Sequence, residues 1–158
     1  MSPTPAAGPV VIAYDGSAQA EIALIEAAGL LRPRQAVVLV VWKEGVGLSF
    51  VDRAEHLPLA RLDVRTASDV DEAIATRAQQ LAEHGAALAR EAGFDAEGLA
   101  VAEEVDVPVS DTIVDVAGQR GAASIALGTH GHGGAIGPIS RDVIRHARCP
   151  VLVRGPAR

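Results

Sequence analysis

The residues best suited to chemistry are concentrated in a glycine-rich segment near the end of the chain. Residues 128–137 read Gly-Thr-His-Gly-His-Gly-Gly-Ala-Ile-Gly and directly follow the apolar run Ser124–Leu127. Glycine permits positive φ angles and lets backbone N–H groups approach an anion closely. A helix is predicted to begin near Ser140, and its N-terminus would direct a positive dipole to the same place. The segment therefore predicts a phosphate site, although a flexible turn would need the same glycines for its backbone geometry alone.

Asp15 is the second candidate, because it directly follows the apolar run Pro9–Ala13. A carboxylate at the end of a strand could accept a hydrogen bond from a ribose hydroxyl or a base amine, or help to hold a cation. An Asp-Gly pair after a strand is equally typical of an ordinary turn. The residues alone leave both interpretations open.

The histidines and the cysteine give weaker signals. His130 and His132 form a His-x-His pair, but a metal site needs three or four ligands, and no cysteine or carboxylate lies in the adjacent sequence. A histidine N–H that donates to a phosphate is the better interpretation, and no metal site is predicted. Cys149 is predicted to be a buried structural thiol. The glycine-rich segment has no lysine of the Walker type, so no catalytic residue is assigned, and weak ATP hydrolysis is the most that we expect.

The elements that must position these residues follow from the alternation of short aliphatic runs with amphipathic segments. Helices are predicted to begin at four polar positions, which are Ser17, Ser68-Asp69, Ser110-Asp111 and Ser140. Strict alternation predicts a single α/β domain with a doubly wound parallel sheet, whose ligands bind beyond the carboxyl ends of the strands. Five strands are predicted, at residues 9–13, 36–41, 99–105, 124–127 and 150–153.

Length and composition set the organisation of the chain. The 158 residues suit one domain, predicted at 9–155, with a flexible N-terminal segment at 1–8 and a short tail at 156–158. Segment 43–68 has no clear period, and its path stays open. The longest apolar run, Ala36–Trp42, is too short to span a bilayer, and nothing at the N-terminus resembles a signal peptide. We therefore expect a cytoplasmic protein with no membrane partner.

The net charge argues against one further class of partner. The formal charge is −6, and Lys43 is the only lysine of the chain. A nucleic-acid backbone would be repelled on average, because proteins bind its phosphates mainly through clustered lysine and arginine. No nucleic-acid partner is predicted.

Three segments together resemble the universal stress protein family along essentially the whole chain. They are Val-Val-Ile-Ala-Tyr-Asp-Gly-Ser at 10–17, Leu-Gly-Thr-His-Gly-His-Gly-Gly at 127–134, and Val-Ile-Arg-His-Ala-Arg-Cys-Pro-Val-Leu-Val at 143–153. The resemblance implies a flavodoxin-like, Rossmann-like five-stranded sheet with strand order 3-2-1-4-5. Strands 1 and 4 would then lie side by side, and their polar exits would face one crevice. The implied role is that of a stress-response or regulatory protein.

The resemblance also implies a nucleotide site. Nucleotide-binding members are similar in a Gly-x₂-Gly-x₉-Gly-Ser/Thr pattern that holds ATP, and Gly128-x₂-Gly131 matches its beginning. Asp15 matches the acidic position after strand 1, Val41 the position that packs on adenine, and Ser140 a hydroxyl position. The implied ligand is ATP or another adenine nucleotide, with Mg²⁺ only if ATP is bound. The cofactor-binding residues implied are Ala13, Tyr14, Asp15, Val41, Gly128, His130, Gly131, Gly137, Ile139 and Ser140.

The chain departs from that pattern at the third glycine. Residues 132–136 are the only ones between Gly131 and Gly137, where the pattern has nine, and Pro138 replaces the Ser/Thr. Proline lacks both the hydroxyl and the backbone N–H. At roughly 1.5–3 kcal/mol for each hydrogen bond to a charged group, losing two would weaken triphosphate binding about a hundredfold to ten-thousandfold. The departure favours an alternative, a stress protein that binds no nucleotide and acts as a dimer through protein partners.

A homodimer is also implied by the resemblance. The family commonly pairs through its last strand, which here is the short apolar segment 150–153. An exposed edge strand invites pairing with a second chain because its backbone groups are unpaired.

Overall fold

The computed structural model describes residues 7–31, 34–43, 67–104, 106–129 and 136–155. Strands and helices alternate along this part of the chain, as the sequence predicts. Their bounds in chain order are β1 Val10–Ala13, α1 Ala18–Leu30, β2 Gln35–Lys43, α2 Ala67–Glu91, β3 Asp95–Glu103, α3 Val109–Gln119, β4 Ser124–Gly128, α4 Pro138–His146 and β5 Val151–Arg154.

The five strands form one parallel sheet in the order β3-β2-β1-β4-β5, which confirms the predicted order. The central strand β1 pairs with β2 on one side and with β4 on the other. Ala13 therefore lies between Leu39 and Leu127, and the carboxyl ends of these strands meet at one edge of the sheet. The winding direction reverses between β1 and β4, which is where ligands of such sheets bind.

The core lies on both faces of the sheet. One layer packs α1 and α2 on side chains such as Ile12 and Val38, and the other packs α3 and α4 on Val11 and Val37. Val10, Val11 and Ile12 are all fully buried, because helices cover both faces. A continuous apolar run, rather than an alternating one, is what such a central strand requires.

Several predicted boundaries are wrong. β2 ends at Lys43 rather than Val41. β3 begins at Asp95 rather than Leu99, because Asp95 and Glu97 are exposed on an edge strand and interrupt the apolar run. Ser110 does not cap the third helix. It is buried in the first turn, and Pro108 occupies the N-cap position. The last helix begins at Pro138 instead of Ser140, since proline suits the first helical position, where an N–H has no intrahelical acceptor.

Part of the predicted organisation lies outside the described residues. This holds for residues 44–66 of segment 43–68, for residues 1–6 of the N-terminal segment and for the tail at 156–158. The domain boundaries therefore stay predictions. No helix in the described ranges is long and apolar enough to cross a membrane.

Candidate functional site

A cavity of about 230 Å³ lies at the carboxyl ends of β1, β2 and β4, beside the start of α4. Predicted residues His130 and Gly131 lie outside the described residues. The structure brings all the others to this cavity: Ala13, Tyr14, Asp15, Val41, Gly128, Gly137, Ile139 and Ser140.

The turn after β1 forms one rim of the cavity. Gly16 has a φ of +79°, which only glycine adopts readily, so the chain can reverse directly after the strand. Ser17 then caps α1, because its hydroxyl accepts a hydrogen bond from the Ala20 amide at 3.2 Å. The Ala20 amide at the N-terminus of α1 is therefore already bonded within the protein.

Asp15 sits in the same turn. Its Oδ1 accepts a hydrogen bond from the Ser17 amide at 3.0 Å, so one carboxylate oxygen shapes the turn. The side chain is exposed at the cavity rim. The turn role that the sequence leaves open is therefore present in the structure, and a role in ligand binding stays a prediction.

Tyr14 is nearly fully buried below the rim. Its hydroxyl donates to Glu21 Oε1 at 3.4 Å. Burial raises the pKa of Tyr14, and the nearby carboxylates of Glu21 and Asp15 raise it further. The phenol is therefore a neutral hydrogen-bonding group at the cavity.

Apolar side chains form the wall on the sheet side. Val41 is half-buried two residues before the end of β2, with Leu39 before it on the same face, and α3 contributes Val109 and Ile113. Such a wall suits a flat, weakly polar group, because ligand sites are mostly apolar with few convergent polar groups. We call this set, with Ala13, the base wall.

The first turn of α4 forms another wall, which we call the phosphate wall: Gly137, Pro138, Ile139 and Ser140. Gly137 is the N-cap, and no described side chain caps this helix. Pro138 carries no N–H, so the amides of Ile139 and Ser140 are the first-turn donors beyond the cap residue. This backbone arrangement favours an anion.

Two buried hydroxyls tie the ends of the glycine-rich segment together. Thr129 Oγ1 accepts a hydrogen bond from the Gly137 amide at 3.0 Å. Ser140 Oγ donates to the Gly128 carbonyl at 3.3 Å. Ser140, which the resemblance assigns to ligand contact, therefore also holds the backbone of the segment closed.

Gly128 has a packing role. A Cβ at this position would lie 2.8 Å from the Gln19 carbonyl oxygen, where the first turn of α1 crosses the end of β4. Only glycine fits such a close approach of helix and strand. This steric role explains the first glycine of the segment without any ligand.

Sequence reasoning missed several residues that line the cavity. Leu39 could have been found, because it lies two positions before Val41 and therefore on the same face of β2. Val109 and Ile113 are spaced as neighbours on one helical face, but nothing in their sequence says that α3 leans over this crevice. The missed residues are Ser17, Ala20, Leu39, Val109, Ile113, Leu127 and Pro138.

Cys149 lies away from this cavity, in a second cavity with Asp115 and His146 at the opposite end of β4. The thiol is half-buried rather than buried as predicted, and this partial burial raises its pKa. A raised pKa disfavours the reactive thiolate, in keeping with a structural role.

The sequence profile of the universal stress protein family matches residues 7–154. The chain belongs to the universal stress protein family. The match covers every described strand and helix, and it confirms the resemblance drawn from the three segments at 10–17, 127–134 and 143–153.

Solved structures of the family share the fold. Hypothetical protein MJ0577 superposes with a TM-score of 0.70 at 21% identity, over 97% of this chain and 99% of that one. A universal stress protein family member from Burkholderia pseudomallei gives 0.65 at 22% identity, over 98% and 100%. The Archaeoglobus fulgidus universal stress protein in complex with dAMP gives 0.58 at 25% identity, over 92% and 96%. Comparison of the sequence with curated proteins returns no match.

Proposed function

We propose that this universal stress protein binds an adenine nucleotide in the cavity between the base wall and the phosphate wall and acts as a stress-response regulator. One observation carries the proposal: apolar side chains of β2 and the start of α4, which no described side chain caps, line one cavity at the switch point of the sheet. The related Archaeoglobus fulgidus protein was solved with dAMP. The cytoplasm is the proposed place of action.

The base is proposed to lie against Val41 and Ile113. An adenine ring would cover apolar surface there, at about 25 cal/mol per Å² removed from water. Asp15, at the rim, is placed to accept a hydrogen bond from a ribose hydroxyl or the exocyclic amine, in addition to the bond from Ser17.

The phosphate is proposed to lie at the amides of Ile139 and Ser140. The Gly137 amide is already bonded to Thr129, and Pro138 has no amide hydrogen. These two losses favour a ligand with one phosphate over a triphosphate. We therefore propose that AMP binds at least as tightly as ATP, and that Mg²⁺ is bound only together with ATP.

Binding without turnover is the proposed activity. None of the described residues that line the cavity is a histidine, lysine or cysteine, and Asp15 is the only carboxylate among them. A hydrolytic reaction needs a general base within reach of an attacking water. Asp15 already holds the turn, so we assign it no catalytic role.

A second candidate is a dimeric stress protein that binds no nucleotide and acts through protein partners. The hydrogen bond between Gly137 and Thr129 favours it, because that bond withdraws a donor which a phosphate would otherwise use. β5 lies at an edge of the sheet, so the dimer is proposed to form through this strand. The strand is predicted at 150–153 and spans Val151–Arg154 in the structure.

Calorimetric titration of the purified protein with AMP, ATP with Mg²⁺, adenosine and GMP separates the two candidates. The nucleotide proposal predicts saturable heat for AMP and a weaker response to GMP, whose base carries a different hydrogen-bonding edge. No heat from any adenine compound at millimolar concentration would exclude it. Stoichiometric adenine nucleotide released from protein denatured without added ligand would exclude the second candidate.

A further inference from the structure

The sheet has two edges, and the structure treats them differently. β3 forms one edge and β5 the other. An edge strand presents unpaired N–H and C=O groups, to which a strand of another chain can add. The question for each edge is whether its outward backbone groups already have partners.

On β3, the even-numbered residues face outward. Asp95 donates its amide to the Arg34 carbonyl at 3.1 Å, on the side of β2, and the parallel register then continues along the strand. Backbone groups of successive residues in a strand point to opposite sides. The N–H and C=O groups of Ala96, Gly98 and Ala100 therefore point away from the sheet.

Side chains of α2 bond to three of these outward groups. The Ala100 amide donates to Gln79 Oε1 at 3.2 Å, and Gln79 Nε2 donates to the Gly98 carbonyl at 3.3 Å. The amide group of Gln79 thus takes the place of the peptide group of a neighbouring strand. Further along, Arg90 Nε donates to the Ala96 carbonyl at 2.8 Å.

Glu83 joins the two capping side chains. Its Oε1 accepts from Gln79 Nε2 at 3.2 Å, and its Oε2 lies 3.7 Å from the Arg90 guanidinium. We call Gln79, Glu83 and Arg90 the edge cap. Because Glu83 and Arg90 are exposed, their ion pair contributes little to the free energy of folding. Its effect is to orient the side chains of Gln79 and Arg90 towards β3.

Gly98 permits the approach on which the cap depends. A Cβ at Gly98 would lie 2.6 Å from the backbone carbonyl carbon of Ala82, so the backbone of α2 lies directly against β3. At that distance the side chain of Gln79 reaches over the strand to its outer edge. The small residue in the strand and the polar residues on the helix therefore act together.

The described part of the chain shows no comparable cap on β5. The Ile125 amide donates to the Pro150 carbonyl and the Thr129 amide to the Arg154 carbonyl, so the even-numbered residues of this segment face β4. The backbone groups of Val151 and Val153 then face outward. Among the residues that the structure describes, no side chain bonds to them.

We propose that the edge cap closes β3 to strand addition and so directs the pairing of a second copy of this chain to β5. The closure of β3 stands on its own contacts; only the pairing at β5 rests on the proposed dimer. Without the cap, β3 presents a nine-residue strand that is identical in every copy. Such an edge can pair with itself in a symmetric, antiparallel way, and copies that pair at both edges form open-ended chains.

The test is the sedimentation of the full chain with Gln79→Ala and Arg90→Ala combined. We expect species larger than the wild-type assembly, increasing with concentration. The matched control is Arg77→Ala with Gln80→Ala, which removes the same residue types from exposed positions of the same helix and should sediment like the wild type. Identical sedimentation of all three proteins overturns the proposal. If the wild type is a monomer, the pairing at β5 fails, yet the double variant should still associate through β3.

Amide hydrogen exchange provides a second measurement if the double variant does not fold. In Gln79→Ala, the Ala100 amide loses its acceptor and should exchange about tenfold faster, which corresponds to one hydrogen bond of about 1.4 kcal/mol. In the matched control Gln80→Ala, Gln79 is unchanged, so the protection of Ala100 should remain. Unchanged exchange at Ala100 in Gln79→Ala overturns the proposal.

Discussion

The two walls of the cavity are built in different ways. The base wall consists of side chains, among them Val41 and Ile113, that also belong to the packed layers of the sheet. The phosphate wall consists mainly of backbone groups at the start of α4. A wall of core side chains persists wherever the fold persists, whereas a wall of amides depends on which residues follow Gly137. For the proposed nucleotide, we therefore expect substitutions in the base wall to affect recognition of the base and substitutions after Gly137 to affect recognition of the phosphates.

The largest expected effect comes from a charge on the base wall. Val41→Asp would place a carboxylate against the adenine, and an unpaired charge removed from water costs several kcal/mol. We expect the affinity for AMP and for adenosine to fall by about a hundredfold or more, since a tenfold change corresponds to about 1.4 kcal/mol. Thr76→Asp, which adds the same charge on an exposed face of α2, should change neither affinity. Equal binding by wild type and Val41→Asp, measured by calorimetry, would place the base elsewhere.

The next effect concerns the stability of the segment beside the phosphate wall. Gly128→Ala forces a methyl group against the Gln19 carbonyl, and we expect the free energy of unfolding to fall by about 1–3 kcal/mol. Gly118→Ala is the matched control, because no atom lies within 4 Å of the added Cβ. Alanine in this exposed helical position should stabilise the protein by about 0.5–1 kcal/mol. Urea unfolding measures both, and a stable Gly128→Ala variant would contradict the packing role.

An effect of the opposite sign is expected at the phosphate wall. Pro138→Ser restores an N–H and a hydroxyl at the start of α4, and each new bond to a charged phosphate can contribute about 1.5–3 kcal/mol. We expect ATP to bind at least about tenfold more tightly, with the affinity for adenosine unchanged. Pro138→Ala restores only the N–H and separates the two contributions. If adenosine and ATP change equally in calorimetry, the phosphates do not lie at this helix.

The smallest effect is a dependence of stability on pH. Burial raises the pKa of Tyr14, so the folded protein holds this proton more tightly than the unfolded chain does. The contribution of this proton to the free energy of unfolding is complete below the ordinary tyrosine pKa of about 10. It is lost as the pH rises through the higher pKa of the folded state. Unfolding measured across this range should show less loss in Tyr14→Phe than in the wild type. Because Tyr14 is the only tyrosine, tyrosinate absorbance reports its titration directly, and a midpoint at or below the ordinary value would contradict the burial argument.

Local patterns predict the strands, the helices and the parallel sheet, whereas the sheet order and site residues such as Val41 and Ser140 follow from the family resemblance. The continuous apolar run in β1 and the Asp-Gly-Ser turn after it are readable without a structure. The contribution of α3 to the cavity cannot be predicted from the sequence, because Val109 and Ile113 have the spacing of any amphipathic helix. The start of β3 is also hidden, because an edge strand capped by side chains tolerates Asp95 and Glu97 on its exposed surface. What escapes prediction is the approach of one element to another.

The central claim is that an adenine nucleotide lies between the two walls, and chemical-shift mapping with AMP tests it most directly. We predict saturable shifts of the backbone amides of Ala13, Val41, Ile139 and Ser140, with the amides of β3 unchanged. Adenosine should shift Ala13 and Val41 but leave Ile139 and Ser140 nearly unaffected, because it carries no phosphate. The absence of shifts at millimolar AMP, or shifts confined to residues outside the cavity, would contradict the claim.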